Sequence, residues 1–294
     1  MHTLFVREHN DWVERLCARL DLPGDTLYEL ARAIVGAEMQ AITTREFLPA
    51  LLGPDALPAY RGYRSEVQPG IANEFAAAAY RFGHTMLSPQ LLRLGADGQP
   101  IAEGHLSLSR AFFNPAAITQ IGIDPYLRGL AGQRAQAIAP HLIDDVRNFL
   151  FGRPGSGGFD LASLNLQRGR DHGLPAYADL AEHYLLLRPL HIKEFNSDQE
   201  IRTRRSNAYG HVADIDAWIG LLFEDHAPGA LVGPTLKAVL TDQFTRLRDG
   251  DRFWYESYLP DYLVQLINRQ TLATIIRRNT DIGGELQDDP FHVQ

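Results

Sequence analysis

The sequence predicts a mostly α-helical protein with a single domain over residues 1–294, and three observations lead to this prediction. Apolar residues recur at helical spacing along most of the chain. Alternating, strand-like runs are short, the best being LSLS at 106–109, so we expect at most a small hairpin. Stretches rich in glycine and proline connect the periodic segments, and no internal repeat or change of composition marks a domain boundary.

The first helix is predicted over 3–20, where Leu4 and Leu20 belong to an apolar face and Glu8 belongs to the polar face. This helix has no capping residue or lead-in, so we expect the chain to start inside a structural element. Cys17 lies within the apolar pattern, and we expect it to pack as a small hydrophobic residue. Because it is the only cysteine, no disulfide can form within the chain.

The second helix is predicted from Asp25 to residue 47, with Leu27, Ile34 and Met39 on one face. The same period continues along the chain after glycine- and proline-rich connections. It predicts further helices over 71–87, 141–151, 175–187, 212–223, 235–247 and 262–278. We interpret GRPGSGGFD at 152–160 as a surface loop rather than a linker between domains, because apolar helical patterns flank it closely on both sides.

Charge and hydropathy exclude several classes of partner. The net charge of −8 and the isoelectric point near 5.7 argue against a general nucleic-acid or anionic-membrane binder. The densest basic cluster, IRTRRS at 201–206, is too short to reverse this. The apolar runs are shorter than the ~20 residues that a membrane span needs, and the N-terminus lacks the pattern of a signal peptide. The sequence leaves the compartment and the oligomeric state open.

The stretch AAAAYRFGHTM places Arg81 three residues before His84. Residues three apart on a helix lie on the same face, one turn from each other. An imidazole binds iron and a guanidinium pairs with carboxylates, so a haem with its propionates suits this pair. The alternative is an ordinary hydrogen-bonded histidine in the core or at the surface, and this stretch alone favours that alternative.

A second stretch, LNLQRGRDHGLPAY, repeats the three-residue offset with Asn165 and Arg168. The asparagine oxygen could accept a hydrogen bond from the second ring nitrogen of a haem-binding histidine, and the arginine could contact a propionate. The alternative is a charged turn at a helix end, in which Asp171 pairs with Arg168 or Arg170 and Gly173 caps the helix. Independently of this choice, we expect His172 to fix the local turn.

Taken together, these two stretches resemble the animal-type haem peroxidases of the peroxidase–cyclooxygenase superfamily. MHTLFVREHN, FLPALLG, GIDPYLRGL and FTRLRDGDRFWYE support the resemblance in the family's order, so it covers nearly the whole chain. The absence of a disulfide framework is similar to bacterial members. The resemblance implies a mostly helical, animal haem peroxidase-like fold that binds haem b.

The resemblance assigns roles to four residues of this sequence. His84 matches the proximal iron ligand, Asn165 matches its hydrogen-bond partner, and Arg81 and Arg168 match the arginines that contact the propionates. The cyclooxygenase and fatty-acid dioxygenase branch carries a radical-forming tyrosine three residues before the proximal histidine. Here that position holds Arg81, and Tyr80 is one position off, which favours a peroxidase.

No position of this sequence matches the family's distal histidine and arginine, which precede the segment that MHTLFVREHN resembles. The expectation is therefore a proximal-side, N-terminally incomplete portion, without the calcium site and with haem bound non-covalently. His9 and Arg7 match the helix after the distal arginine, so we do not expect them to replace the distal pair. Asp249 and Asp251 are expected to pair with neighbouring arginines rather than to bind a metal.

Two main hypotheses follow for the function. The first is a peroxidase that reduces hydrogen peroxide while it oxidises a small-molecule or halide donor. The second is a non-catalytic haem-binding or scaffold fragment, since the distal pair is unmatched. A fatty-acid dioxygenase is the less favoured third hypothesis. The sequence does not identify the electron donor.

Overall fold

A computed structural model describes residues 1–148 and 158–293 of the chain. Within these residues the protein is helical, with one two-stranded antiparallel sheet. Strand β1 (Gln90–Leu91) pairs with β2 (Leu106–Ser107), so that Gln90 faces Ser107 and Leu91 faces Leu106. The predicted mostly helical class with a small hairpin is confirmed, although LSLS contributes only its first two residues to the strand.

The helices follow one another with short connections in between. Their bounds are α1 His2–Cys17, α2 Gly24–Ile42, α3 Leu48–Leu52, α4 Asn73–Ala77, α5 Leu108–Ala111, α6 Ala116–Thr119, α7 Asp124–Gly132, α8 Asp144–Arg147, α9 Leu161–Asp171, α10 Tyr177–Leu185, α11 Gln199–Ala208, α12 Ala217–Phe223, α13 Pro234–Asp249, α14 Tyr255–Tyr258, α15 Asp261–Ile267 and α16 Leu272–Asn279. A π-helical turn covers Thr43–Phe47, and 3-10 turns cover Ala79–Thr85, Ile192–Glu194 and Val212–Asp214. No helix of the described residues is both long and apolar enough to cross a membrane.

The internal contacts of the chain group it into two compact units. Unit 1 comprises Met1–Pro49, Gln90–Arg134 and Arg252–Gln294, and unit 2 comprises Ala50–Pro89 and Ala135–Asp251. The single domain over residues 1–294 stays a prediction.

Unit 1 has an apolar core to which α1, α2, α7 and α16 contribute. Its buried members are Leu4, Ile42, Ile123, Leu127, Ala131, Leu272, Ala273, Ile275, Ile276, Ile282 and Leu286. A polar cluster lies beside this core, because Glu8 of α1 and Glu38 of α2 are both fully buried. Arg278 of α16 lies 2.9 Å from Glu8 Oε1 and 3.6 Å from Glu38 Oε1.

Three expectations for the first helix were wrong. Glu8, predicted on the polar face, is fully buried because Arg278, some 270 residues away in sequence, supplies its counter-charge. The helix ends at Cys17, so Leu20 lies outside it and remains exposed. Cys17 is also exposed and does not pack in the core.

The second helix was predicted to end at residue 47, but the helical backbone continues from there directly into α3, and its geometry changes over Thr43–Phe47. The hydroxyl of Thr43 donates to the carbonyl oxygen of Met39 at 2.8 Å, and that of Thr44 donates to Gln40 at 2.8 Å. Such bonds compete with the backbone ladder and favour a local bulge. The helix therefore passes from α to π geometry over Thr43–Phe47.

Other predicted helices are shorter or broken. The segment 262–278 divides into α15 and α16, because Thr271 caps a new helix through a bond from the backbone N–H of Thr274. The segment 212–223 is helical only from Ala217, after a 3-10 turn. Residues 149–151 of the predicted helix 141–151, and residues 152–157 of the predicted loop, lie outside the described residues.

Unit 2 is built around α10, α12 and α13, which pack against one another and against the 3-10 turn Ala79–Thr85. Two close approaches fix this packing. A Cβ added to Gly220 of α12 would meet the Tyr177 ring of α10 at 2.0 Å. The buried carboxylate of Glu224 accepts hydrogen bonds from the Tyr177 hydroxyl at 2.7 Å and from the first N–H groups of α13, at Thr235 and Leu236.

Candidate functional site

The segment that carries Arg81 and His84 is not the continuous α-helix that the sequence predicts. Helix α4 ends at Ala77, and the φ of −133° and ψ of −67° of the next residue, Ala78, depart from helical geometry. The chain then continues as the 3-10 turn Ala79–Thr85. Side chains three residues apart eclipse one another in a 3-10 helix. Arg81 and His84 are thus aligned one full turn apart, more directly than in an α-helix.

Asn165 and Arg168 lie on α9, a helix that is not among those predicted from the apolar period. Its start is set by Asp160, whose carboxylate accepts from the backbone N–H groups of Ala162 at 2.8 Å and of Ser163 at 3.3 Å. An aspartate in front of an apolar pair is a helix-start signal that could have located it. Asn165 is fully buried, whereas Arg168 is exposed.

Two hydrogen bonds join the end of α9 to the start of α4. The amide of Asn73 donates to the carbonyl oxygen of His172 at 3.0 Å, and its oxygen lies 2.8 Å from His172 Nδ1. Gly173 follows with a φ of +63°, a left-handed conformation that glycine adopts without strain. The predicted role of His172 in fixing this turn is confirmed, and the turn also holds the two site segments together.

At the centre of the site, His84, Asn165 and Arg81 form one hydrogen-bonded series. Arg81 Nη1 donates to Asn165 Oδ1 at 3.0 Å, and Asn165 Nδ2 lies 3.0 Å from His84 Nδ1. Because a guanidinium only donates, the amide oxygen faces Arg81 and the amide nitrogen faces the imidazole. This orientation is opposite to the expected one, in which the asparagine oxygen accepts from the histidine.

The site is positively charged. Burial lowers the pKa of His84, and the nearby Arg81 lowers it further, against a smaller opposing effect of the bond to Asn165. Burial also lowers the pKa of Arg81, with a further contribution from the like charge of Arg168. In the part of the chain that the structure describes, neither arginine forms an ion pair. The result is a neutral imidazole beside two guanidinium groups that lack a carboxylate partner.

These groups suit a ligand that combines a metal ion with negative charge at its edge. A neutral imidazole is the form that binds iron, and two uncompensated arginines favour two carboxylates. No three His, Cys, Asp or Glu side chains gather to hold a metal ion anywhere in residues 1–148 and 158–293. The residues present therefore fit a cofactor that brings its own metal and needs one protein ligand.

Tyr80, one position before Arg81, takes part in an aromatic cluster instead of the polar series. Its ring stacks on Phe75 with the centroids 4.7 Å apart, and it meets Phe82 at 5.9 Å and Phe244 at 5.8 Å. Burial raises the pKa of its hydroxyl. Tyr80 thus lies on a different side of the turn from His84, as predicted.

Other residues considered in the sequence have ordinary structural partners. His9 Nε2 lies 3.1 Å from the carbonyl oxygen of Tyr28, and Arg7 donates to the carbonyl oxygen of Asn279 at 2.9 Å. Asp249 pairs with Arg248 at 2.7 Å, as expected.

The alternative pairing around RDHG is not observed. Asp171 accepts from Gln167 at 2.6 Å, and Arg170 binds Asp216 through two bonds of 2.9 Å. Arg168 is thereby left available beside Arg81.

Comparison with known proteins relates the whole chain to one family. A family model described as animal haem peroxidase matches residues 1–291. The chain is 43% identical over 307 residues to a peroxidasin homolog of Homo sapiens, covering 100% of this chain and 21% of that protein. It is 40% identical over 298 residues to peroxinectin A of Dictyostelium discoideum, covering 99% of this chain and 54% of that protein. The chain thus spans between about a fifth and about half of these relatives.

Solved structures share the fold. Peroxidase A from Dictyostelium discoideum superposes with a TM-score of 0.91 at 38% identity, covering 98% of this chain and 55% of that one. A fatty acid alpha-dioxygenase from Arabidopsis thaliana superposes with a TM-score of 0.81 at 19% identity, covering 99% of this chain and 54% of that one. The second likeness concerns the fold alone. The predicted animal haem peroxidase-like helical fold is confirmed.

Proposed function

The chain belongs to the animal haem peroxidase family, and on this premise we propose that it binds haem b with His84 as the proximal ligand to the iron. The observation that carries the proposal is the series in which Asn165 bridges His84 and Arg81 through two contacts of 3.0 Å. The second arginine, Arg168, supports it by adding positive charge beside Arg81. Each of these residues matches the family motif from which it was predicted.

Iron ligation through His84 Nε2 requires the Asn165 amide to turn over. With the amide nitrogen facing Nδ1, the imidazole proton resides on Nε2, the atom needed for the metal. After rotation of the amide, Oδ1 accepts from Nδ1–H and the Nε2 lone pair becomes free. The same rotation would set the amide nitrogen against Arg81, so Arg81 must release Asn165 at that step.

Arg81 and Arg168 provide the attraction that makes this release favourable. Among the described residues neither arginine has a carboxylate partner, and contacts with haem propionates would offset the repulsion between them. Arg81 keeps its bond from Nε to the carbonyl oxygen of Ala76, at 3.0 Å, while Nη1 changes partner. The carboxylates are therefore proposed to fix the orientation of the porphyrin as well as to retain it.

The reaction class proposed for the assembled site is peroxidation. Haem bound there supplies the redox chemistry that reduces hydrogen peroxide at the expense of a small-molecule or halide donor. The chain's own contribution is a neutral imidazole, held by a neutral amide rather than a carboxylate, which makes the iron easier to reduce. Fatty-acid dioxygenation is not proposed, since Arg81 occupies the position of the radical tyrosine and Tyr80 packs among Phe75, Phe82 and Phe244.

Hemin titration of the chain tests the ligand assignment. We expect a Soret band of a histidine-bound ferric haem, and His84→Ala should change both its position and the affinity. His183→Ala is the matched control, because His183 is exposed on α10 and makes a ring contact only with Tyr184. Spectra of the two variants that are identical to each other would refute the assignment. Extraction of the haem by acidified butanone tests the proposed non-covalent binding.

A peroxidase assay then separates the two main hypotheses for the bound state. Oxidation of tetramethylbenzidine by hydrogen peroxide faster than with free hemin, and lost in His84→Ala, supports a peroxidase. Haem binding with no rate above free hemin supports the non-catalytic haem-binding alternative.

A further inference from the structure

A second polar cavity lies within unit 2, formed by the turn Ile192–Glu194, by α11 and by the loop that follows it. Its volume is about 770 Å³. Its lining includes Leu190, Ile192, Lys193, Arg202, Arg205, His211 and Val212. Three of them are permanent cations and none is acidic, although the chain as a whole carries a net charge of −8.

Arg205 is the unusual member of this lining. Its side chain is only 6% exposed, and its Nε and Nη2 atoms are buried without a hydrogen-bond partner. Burial lowers its pKa, and the carboxylate of Asp214 opposes this only through a longer-range attraction. A buried arginine is normally paired, because an uncompensated buried charge is strongly destabilising. The unused donors of Arg205 therefore indicate a missing anionic partner.

Neighbouring groups supply further donors, since Arg202 and Lys193 also line the cavity. The carboxylates of Asp214 and Glu194 attract the lining cations, but among the described residues neither forms an ion pair with them. Glu200, the acidic residue of α11, pairs with Arg204. His211 Nδ1 accepts from the N–H of Ala213 at 3.2 Å, which leaves the proton on Nε2 as a donor. The basic cluster IRTRRS, which the proposed haem site does not use, contributes Arg202 and Arg205 to the lining of this cavity.

We propose that this cavity binds a small organic molecule through a tetrahedral oxyanion group, a phosphate or sulfate ester, with Arg205 as its main anchor. A guanidinium donates two parallel bonds to such a group. Such an ester presents three acceptor oxygens, which match three cations better than the two oxygens of a carboxylate. The cavity volume of about 770 Å³ exceeds what an inorganic ion fills. The side chains of Leu190, Ile192 and Val212 offer contacts to the organic part.

The test is calorimetric titration of the full chain with phenyl phosphate, phenyl sulfate and benzoate. We expect one of the two esters to bind at least tenfold more tightly than benzoate, and the stronger one identifies the oxyanion. Arg205→Met should weaken that binding by about tenfold or more. Arg204→Met is the matched control on the same helix, since Arg204 is exposed and paired with Glu200.

Several outcomes would overturn the proposal. These are no binding by the parent chain up to about 10 mM, equal binding by Arg205→Met, or benzoate that binds as well as the esters. If Arg205→Met does not fold, as judged by circular dichroism, Arg202→Met replaces it and the same loss is expected. Loss of binding in Arg205→Met distinguishes this cavity from the arginines of the proposed haem site, so failure of either proposal leaves the other standing.

Discussion

At the scale of single residues, the side-chain amide of Asn165 connects a cation to an imidazole. In the structure its oxygen is used by Arg81 and its nitrogen by His84. Arg81 only donates, whereas His84 Nδ1 donates or accepts according to its tautomer, so the amide orientation sets which ring nitrogen carries the proton. Charge at position 165 should therefore act directly on the imidazole.

Replacement of Asn165 by aspartate tests this connection. A carboxylate at Nδ1 makes the imidazole more anionic and stabilises ferric iron, so we expect the reduction potential of the hemin-loaded chain to fall by tens of millivolts. Spectroelectrochemical titration measures it. The control is Gln167→Glu, which adds the same charge to the same helix. Gln167 is exposed and bonds to Asp171 rather than to His84. An equal fall in both variants would mean that only the overall charge matters.

The two arginines of the site should differ in their contribution to hemin affinity. A charge-assisted hydrogen bond contributes about 1.5–3 kcal/mol when desolvated, so Arg81→Ala should weaken hemin binding by roughly tenfold or more. Arg168 is exposed, so its replacement should have a smaller effect that decreases with added salt. Fluorescence quenching titrations measure both. Arg32→Ala, which removes an exposed cation paired with Glu29, should leave the affinity unchanged.

At the scale of secondary-structure elements, the packing of α10 against α12 depends on a missing side chain. The Tyr177 ring lies directly over Gly220. Its hydroxyl donates to the carboxylate of Glu224, which also accepts from the first N–H groups of α13. Three helices are thereby arranged around one tyrosine. A methyl group at Gly220 would displace that ring.

Two glycine-to-alanine changes with the same chemistry should have opposite effects. Gly220→Ala should destabilise unit 2 by about 1–3 kcal/mol or more, because the added Cβ overpacks against Tyr177 at 2.0 Å. Gly36→Ala in α2 meets nothing within 4 Å and should stabilise its helix by about 0.5–1 kcal/mol. Urea denaturation measures both changes. A similar loss of stability in both variants would contradict the packing explanation.

The sequence predicted the existence of most elements and the four residues of the candidate site. Apolar periodicity sufficed for α2, α10 and α13, whose bounds differ from prediction by a few residues. The candidate site residues were predicted from two separated motifs taken together. In the structure, three of them are joined in one hydrogen-bonded series.

The features that local sequence patterns did not predict include two that depend on residues distant in the sequence. The burial of Glu8 needs Arg278, and the orientation of the Asn165 amide needs Arg81, which is 84 residues away. The break at Ala78 and the π turn after Ile42 leave the apolar period unchanged, so periodicity does not reveal them. Helix α11 was not predicted because it has only a weak apolar face.

At the scale of the whole molecule, the buried acids of unit 1 should make folding stability depend on pH. Glu38 accepts a bond from Trp12 at 3.2 Å, and it shares the neighbourhood of Glu8, Asp11 and Arg278. Burial, with the repulsion of Glu8 as a smaller cause, raises the pKa of Glu38 to about 8. The folded chain thus holds a proton at neutral pH that the unfolded chain releases.

The sign of the effect follows from this difference. Above the ordinary glutamate pKa and up to about pH 8, the folded state binds the extra proton, so stability decreases as pH rises through this window. The slope for one proton is at most about 1.4 kcal/mol per pH unit. Urea denaturation between pH 6 and pH 8 measures it. Glu38→Gln should flatten the slope, whereas Glu29→Gln, exposed on the same helix, should not.

The bridge between His84 and Asn165 also has a consequence for synthesis of the protein. The histidine emerges from the ribosome 81 residues before the asparagine, a delay of roughly 4–16 s at ordinary elongation rates. During this interval the nascent imidazole has no amide beside it, and Arg81 has no second arginine. We therefore expect haem to bind only after α9 has left the exit tunnel of the ribosome. Synthesis of the His84 segment and binding of the cofactor would then be separated in time.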